Sequence, residues 1–207
     1  MHSTSTLAPI AKPPAAPVAH SVWKTSILFT LVTTVLLGLG YPLLVTGIAS
    51  VVFPKQAAGS LIKLNDGTVI GSELLAQSFV SDKYFHPRPS AAGSGYDATS
   101  SGGTNLAQSS KTLVTRLQAD IDKLAAANPG KPVPIDLVTT SASGLDPDIT
   151  PDAAYYQIAR VAKARNVSEE SLHSLVAQQT TPRQLGVLGE PRVNVLALNI
   201  ALDKLAK

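Results

Sequence analysis

The sequence contains no cysteine, and this absence excludes several kinds of chemistry. Thiol nucleophiles, thiolate metal sites, iron–sulfur clusters and disulfide bonds all require that residue. Histidine is also scarce, and its four positions, His2, His20, His86 and His173, lie far apart. None of them form the i, i+4 pair with which a helix binds zinc. We therefore expect no metal site.

Charged residues make up only 15% of the chain, against about 25% in typical soluble proteins. Residues 1–54 contain Lys12 and Lys24 and no acid, and basic and acidic residues nearly balance in the remainder. A nucleic-acid binder needs clustered basic side chains to displace counterions from phosphates. The sequence therefore predicts no nucleic-acid partner.

A long apolar run occupies the first quarter of the chain. Residues 26–53 contain no charge, and Lys24 and Lys55 flank them. As a helix this run would extend about 42 Å, more than the ~30 Å of a bilayer's hydrocarbon core. We therefore predict a disordered, proline-rich tail over 1–22 and a single transmembrane helix over 23–53.

The alternative is a signal peptide cleaved before Ser50. A signal sequence has an apolar region of about 7–15 residues, and the run here is roughly twice that, so a retained helix is favoured. Flanking lysines nearly balance across the span, and only the acid-free tail favours a cytoplasmic amino terminus. Thr30, Thr34 and Gly38 recur every four residues, which is typical of a face that packs against another membrane helix.

Residues 54–207 predict one extramembrane domain of the α+β class. Asp66-Gly67 predicts a hairpin between residues 60–64 and 68–70. Capping and periodicity signals predict the other elements. These are a helix that starts at Glu73 after Ser72, a helix over 111–128, an edge strand at most over 132–138, and helices that start after Thr150, after Ser168 and near Val195.

Most candidate catalytic motifs are incomplete. Gly130-Lys131 is followed by Pro132, where a phosphate-binding loop needs serine or threonine. Ser60 and Lys63 match the S-x-x-K nucleophile pattern of penicillin-binding enzymes, but no K-T-G sequence accompanies them. Asp146, Asp148 and Asp152 could converge on a cation, although turn formation and helix capping explain them better.

The segment 84–106 is rich in glycine, serine and proline. His86 within it is better interpreted as a structural histidine than as a base, because no carboxylate is near it in sequence. Ser101, Gly102, Gly103 and Thr104 resemble the S-G-G-Q motif of ABC ATPases, and their amides could form a weak nucleotide or anion site.

Several long stretches resemble the C subunit of the bacterial Kdp potassium-transporting ATPase. They include YPLLVTGIA (41–49), YFHPRPSAAG (84–93), YDATSSGGTNL (96–106), VPIDLVTTSASGLDPDITPDAA (133–154) and LGEPRVNVLALNIAL (188–202). They run in order over nearly the whole chain after the tail, so the resemblance is highly specific.

This resemblance implies an accessory subunit of the bacterial cytoplasmic membrane without its own catalytic site. Its implied partners are a channel-like potassium-translocating subunit, a P-type ATPase subunit and a small membrane peptide. The family is described as a catalytic chaperone that raises the ATP affinity of the ATPase subunit, so ATP would be shared rather than a cofactor of its own. The resemblance also places the domain outside the membrane, in the periplasm.

Two hypotheses of different classes follow. The first is a non-catalytic transporter subunit whose segment 84–106 docks on a partner, with Tyr84, Phe85, His86, Arg88, Tyr96 and Asp97 as candidate contacts. The second is a membrane-anchored extracytoplasmic hydrolase or ligand-binding module that would depend on Ser60, His86 or the aspartates.

Overall fold

The computed structural model describes residues 19–64 and 66–205, with side chains from Val22 onward. The chain divides into two compact units after Ala57. Most of the predicted tail, 1–18, lies outside the described residues. Its last four residues, 19–22, are helical, so the first helix begins before the predicted start of the span.

The first unit is a long helix with a widened central segment. Helix α1 (Ala19–Thr33) continues through a π-helical segment (Thr34–Gly40) into α2 (Tyr41–Val52), and a short helix α3 (Pro54–Ala57) follows. Val22–Val52 is the one helix among the described residues that is long and apolar enough to cross a membrane. Its 31 residues extend about 46 Å.

Pro42 explains the widened segment. Proline has no amide hydrogen, and its ring collides with the carbonyl group four residues earlier in an α-helix. In the π-helical segment the amide of Tyr41 instead donates to the carbonyl oxygen of Leu36, five residues back. The helix therefore accommodates the proline ring by adding a wide turn before it.

The second unit combines helices with two small sheets. Strands β1 (Leu61–Lys63) and β2 (Val69–Ser72) form the predicted antiparallel hairpin, with Leu61 opposite Ser72. Helix α4 (Lys111–Ala127) is followed by a 3₁₀ turn (Ile135–Leu137), β3 (Asp148–Ile149), α5 (Pro151–Arg165), α6 (Glu169–Gln179), β4 (Thr180–Thr181), β5 (Arg192–Asn194) and α7 (Val195–Leu205). Strand β5 lies between β3 and β4 in an antiparallel sheet.

Capping residues mark the helix ends where the sequence predicts them. Thr150 Oγ1 accepts from the Ala153 amide at 3.2 Å, and Ser168 Oγ accepts from the Ser171 amide at 3.2 Å. Asn166 ends α5 in the left-handed conformation, with φ of 56°. The predicted α+β class with one amino-terminal apolar helix is confirmed, as are the hairpin and helices α4 to α7.

Two predicted elements are wrong. Residues 73–75 form a turn rather than a helix, because the Ser72 hydroxyl accepts from Leu74 N at 3.1 Å and donates to the Gly59 carbonyl oxygen at 2.8 Å. The segment 132–138 is no strand. Prolines 132 and 134 remove two of its donors, and its last residues form the 3₁₀ turn.

The core lies between α5, α6, α7 and strand β5. Its fully buried side chains include one residue from the glycine-rich segment, Phe85, which packs among aliphatic side chains of the helices. Helix α4 is peripheral and contributes no fully buried residue. Its predicted stripe, Leu113, Leu117, Ile121 and Leu124, is half-buried on one face.

Candidate functional site

The start of the 84–106 segment is held by two buried amide side chains. Asn199 on α7 is 2% exposed and contacts both polar groups of the Phe85 backbone. Its Oδ1 accepts from the Phe85 amide at 2.9 Å, and its Nδ2 donates to the Phe85 carbonyl oxygen at 2.9 Å. The side chain thus acts as a strand partner would, and it allows the backbone to enter the core without unpaired groups.

Gln157 on α5 does the same for the next residue. Its Oε1 accepts from the His86 amide at 2.8 Å, and its Nε2 donates to the His86 carbonyl oxygen at 3.0 Å. Arg160 supports this arrangement, since it donates to Gln157 Oε1 at 2.7 Å and to the Tyr84 carbonyl oxygen at 3.0 Å. We call Asn199, Gln157 and Arg160 the amide clamp.

Tyr84 is fixed by a second group of contacts. Its ring lies 5.5 Å from that of Phe79, and the Arg165 guanidinium lies 4.6 Å from the ring centroid. Arg165 also pairs with Asp203 at 2.6 Å, and Asp203 accepts from the Tyr84 hydroxyl at 3.3 Å. A cation over an aromatic face, with a carboxylate beside both, ties the segment to α5 and α7.

His86 faces backbone rather than a catalytic partner. Its Nε2 lies 3.1 Å from the Ser81 carbonyl oxygen, which accepts a hydrogen bond from the N–H of the neutral ring. Burial lowers the pKa of His86, and the positive charge of Arg160 lowers it further. The geometry matches the structural role predicted for this residue. Ser60, another candidate for the hydrolase hypothesis, is buried.

Arg88 and Tyr96 hold the segment against residues 139–146. Arg88 pairs with Asp146 at 3.2 Å and donates to Thr139 Oγ1 at 3.2 Å. The Tyr96 hydroxyl donates to the Arg88 carbonyl oxygen at 2.8 Å, and burial raises the pKa of that hydroxyl. Ser90 Oγ donates to the Gly144 carbonyl oxygen at 2.6 Å. Both candidate contacts therefore have partners within the domain.

The predicted anion site is engaged with the same neighbouring loop. The Gly102 amide and the Ser101 hydroxyl both donate to the Ser143 carbonyl oxygen, each at 2.9 Å. A Cβ at Gly103 would lie 3.1 Å from the Ala142 carbonyl oxygen. Thr104 is half-buried beside them. Two of the groups predicted to meet a phosphate thus form intramolecular bonds.

Asp97 closes a local turn, and its carboxylate accepts from the Thr99 amide and hydroxyl at 2.9 and 2.7 Å. These two bonds lower its pKa. Among the six predicted docking residues, Phe85 differs most from the expectation. It is 0% exposed, so it anchors the segment in the domain's own core and offers no surface to a partner. The docking role of the remaining residues stays a prediction.

A cavity and a groove border the clamp. The cavity has a volume of about 250 Å³ and is lined mainly by apolar side chains, among them Phe79, Pro87 and Tyr156. The groove beside it, about 850 Å³, runs between α4 and α5, and Lys123 and Lys163 lie along it. Apolar and charged side chains both line this groove.

The three aspartates do not converge. Asp146 pairs with Arg88, Asp148 pairs with Arg192 at 3.0 Å, and Asp152 lies in the first turn of α5. Burial raises the pKa of Asp148. Within 19–64 and 66–205, no group of three acidic or histidine side chains is arranged to hold a metal ion. The turn and capping interpretation explains these residues.

The small-residue face of the membrane helix is exposed along its length. Thr30, Thr34 and Gly38 are all exposed. A Cβ added at Gly38 would lie 3.8 Å from Thr34 Cγ2, so these two positions are neighbours on the helix surface. Among the described residues one helix is long and apolar enough to span a membrane, where the apolar run predicts it, and this face of it is open to a second helix.

The sequence reasoning missed the clamp itself. Gln157 and Asn199 lie at positions that face the core, between apolar neighbours such as Ile158 and Leu198. A polar residue on an apolar helix face is the signal that could have found them, because a buried amide needs hydrogen-bonding partners.

Known proteins resemble this chain over most of its length. A sequence model of the KdpC family, described as the c chain of the K⁺-transporting ATPase, matches residues 23–204. The Bradyrhizobium diazoefficiens potassium-transporting ATPase KdpC subunit is 56% identical, covering 88% of this chain and 96% of that protein. The KdpC subunits of Acidobacterium capsulatum and Methylobacterium nodulans are 56% and 55% identical, covering 88% and 84% of this chain and 97% and 92% of theirs. Because the match includes the membrane helix, the clamp and the segment that it holds, the chain belongs to the KdpC family.

Proposed function

We propose that the chain is the accessory KdpC subunit of an ATP-driven potassium importer and carries no catalytic site of its own. The observation that carries this proposal is the family match over residues 23–204. The expected partners are a channel-like subunit, a P-type ATPase subunit and a small membrane peptide. The absence of a phosphate-binding loop from the sequence and the intramolecular partners of His86 and Arg88 support a non-catalytic role.

We further propose that the amino terminus is cytoplasmic and that the domain lies in the periplasm. The acid-free tail supports this orientation. Because the chain has no cysteine, single cysteines at Ser5 and Ser94 report the topology in intact cells. An impermeant thiol reagent should label position 94 and leave position 5 unlabelled. The reverse pattern would overturn the orientation.

A periplasmic domain cannot touch cytoplasmic ATP. We therefore propose that the subunit raises the ATP affinity of its partner through its membrane helix, whose Thr34 and Gly38 face is open to another helix. Coupling between two sites is typically 5- to 150-fold. The KM for ATP of the potassium-stimulated ATPase should rise by a factor in that range when the subunit is absent. An unchanged KM would contradict the proposal.

Gly38→Leu tests whether the helix face is involved. Leucine is favourable in lipid, so the chain should still insert, but the larger side chain should prevent close approach of a second helix. We expect less assembled complex with normal membrane insertion. Gly47 is the control, because nine residues, about two and a half helical turns, place it on roughly the opposite side of the helix from Gly38. Equal assembly of Gly38→Leu and Gly47→Leu would show that the predicted face is not the contact.

The segment 84–106 is proposed to dock on a partner, with the amide clamp holding it in one conformation. Tyr96 and Arg88 support its fold, so changing them would confuse docking with stability. Ala98 is exposed in the same segment. Ala98→Trp should therefore reduce assembly while leaving the unfolding temperature unchanged. Normal assembly of this variant would contradict docking through the exposed part of the segment.

A further inference from the structure

Strands β4 and β5 extend into a hairpin that displays three aliphatic side chains to solvent. Residues 182–191 form its end, which we call the hairpin tip, and the Gln184–Leu188 bridge closes it. Leu185, Val187 and Leu188 are 90%, 72% and 56% exposed. A cluster of aliphatic side chains at the end of a projecting hairpin is unusual on a protein surface that meets only water.

The hairpin tip is held in a defined shape. Gln184 and Leu188 exchange two backbone hydrogen bonds of 2.9 Å each, and Arg183 pairs with Glu190 at 2.6 Å across the base. Leu185 has a φ of 53°, in the left-handed region that disfavours leucine. Its side chain gains almost no burial within the domain to offset that strain. A contact outside the domain would explain why leucine occupies the position.

The chemistry of the hairpin tip distinguishes among possible occupants. Its two charged residues, Arg183 and Glu190, pair with each other, so no cation remains within 182–191 for anionic lipid headgroups. The tip also has no aromatic residue, the type that favours a membrane interface. A lipid surface is therefore a poor fit.

A second copy of the chain fits poorly as well. Burial of an aliphatic side chain removes roughly 60–120 Å² from water, so two tips in contact would bury about 360–720 Å². Stable dimers of separate proteins need about 1,200 Å² or more. A contact this small is sufficient only between subunits that another interface already holds together, because tethering raises the effective concentration.

We propose that the hairpin tip inserts Leu185, Val187 and Leu188 into an apolar, uncharged pocket on a partner subunit of the transporter. This inference rests on the proposed function, because the membrane helix supplies the tether. The Leu185 side chain is 90% exposed and so faces away from its own domain, and the Arg183–Glu190 pair fixes the base of the hairpin. The tip is thus a preorganised contact that loses little conformational freedom on docking.

Leu185→Asn tests the contact without disturbing the hairpin. Asparagine tolerates the left-handed conformation, so the variant chain should be at least as stable as the parent. Loss of a buried leucine should weaken binding of the full chain to the remaining subunits by about 10- to 100-fold in detergent. Leu74→Asn is the matched control, since Leu74 is also exposed but lies in the turn after β2. Unweakened binding of Leu185→Asn would overturn the inference.

A polarity-sensitive thiol dye on Leu185→Cys identifies the occupant, because the chain has no other cysteine. The labelled chain is measured alone in phosphatidylethanolamine–phosphatidylglycerol vesicles and again after assembly with its partners. Emission should shift to the blue only in the assembled complex. A blue shift in vesicles without partners, whether from lipid or from a second copy, would overturn the inference, as would no shift in the assembled complex. If the unlabelled parent chain does not assemble at all, the proposed function fails rather than this inference.

Discussion

Asn199→Leu should destabilise the domain far more than an ordinary amide-to-leucine substitution. The Asn199 side chain is almost fully buried, and it satisfies both the amide and the carbonyl group of Phe85. Leucine has a similar volume but no polar atom, so both backbone groups would remain buried without a partner. Each such group costs about 1–3 kcal/mol.

The expected loss in the free energy of unfolding is therefore about 2–6 kcal/mol. That is a large fraction of the total stability of a domain, which is about 5–15 kcal/mol. Gln178→Leu is the control, because Gln178 is an exposed amide on α6 and its replacement should change stability by no more than about 0.5 kcal/mol.

Urea unfolding of the full chain in detergent micelles, followed by far-ultraviolet circular dichroism, measures both variants. The membrane helix should remain helical in micelles, so the transition reports on the domain. If the free energies of unfolding of Asn199→Leu and Gln178→Leu differ by no more than about 0.5 kcal/mol, the clamp does not hold the Phe85 backbone in the way described.

Three further predictions concern single sites. Burial lowers the pKa of His86 in the folded domain, so at pH values below the ordinary histidine pKa of about 6.5 the unfolded state binds more protons than the folded state. The free energy of unfolding should therefore fall as the pH drops from 7 to 5. The urea midpoint of His86→Gln should depend less steeply on pH than that of the parent chain. An identical pH slope in both proteins would assign the effect to other groups. Gly144→Ala should lower the thermal unfolding midpoint more than Gly130→Ala. Both glycines have positive φ, but a Cβ at Gly144 would lie 2.6 Å from the Gly102 carbonyl oxygen, whereas a Cβ at Gly130 would meet open space. Equal midpoints would contradict the close packing of the loops that contain Gly102 and Gly144. Thr150→Ala should lower the free energy of chemical unfolding by about 1 kcal/mol, because it removes the side-chain cap of α5. Thr150→Ser keeps the hydroxyl and should retain most of that stability. A serine variant as unstable as the alanine variant would show that the methyl group, rather than the cap, stabilises the helix.

Local signals in the sequence were sufficient to predict most of the helices. Thr150-Pro151 and Ser168-Glu169 begin α5 and α6 where capping chemistry places them, because a side-chain cap acts within three or four residues. Ser72 carries the same signal but begins a turn. Contacts with distant parts of the chain prevail there, since the Ala76 amide donates to the Leu145 carbonyl oxygen at 3.0 Å.

The clamp could not be predicted by the same reasoning. Asn199 and Phe85 are 114 positions apart, and their pairing depends on how α7 packs beside the start of the glycine-rich segment. Glycine, serine and proline bury little apolar surface, so composition alone does not predict a defined conformation for that segment. One phenylalanine and three polar side chains from α5 and α7 hold its start in a defined conformation instead. Which of its exposed residues contact a partner stays a prediction.

Purification of an affinity-tagged chain from gently solubilised membranes tests the central claim most directly. The account predicts that a channel-like subunit, a P-type ATPase subunit and a small membrane peptide are recovered together with the chain and that the material hydrolyses ATP when potassium is added. Recovery of the chain alone from cells that express all the subunits, with no potassium-stimulated ATPase activity, would contradict it.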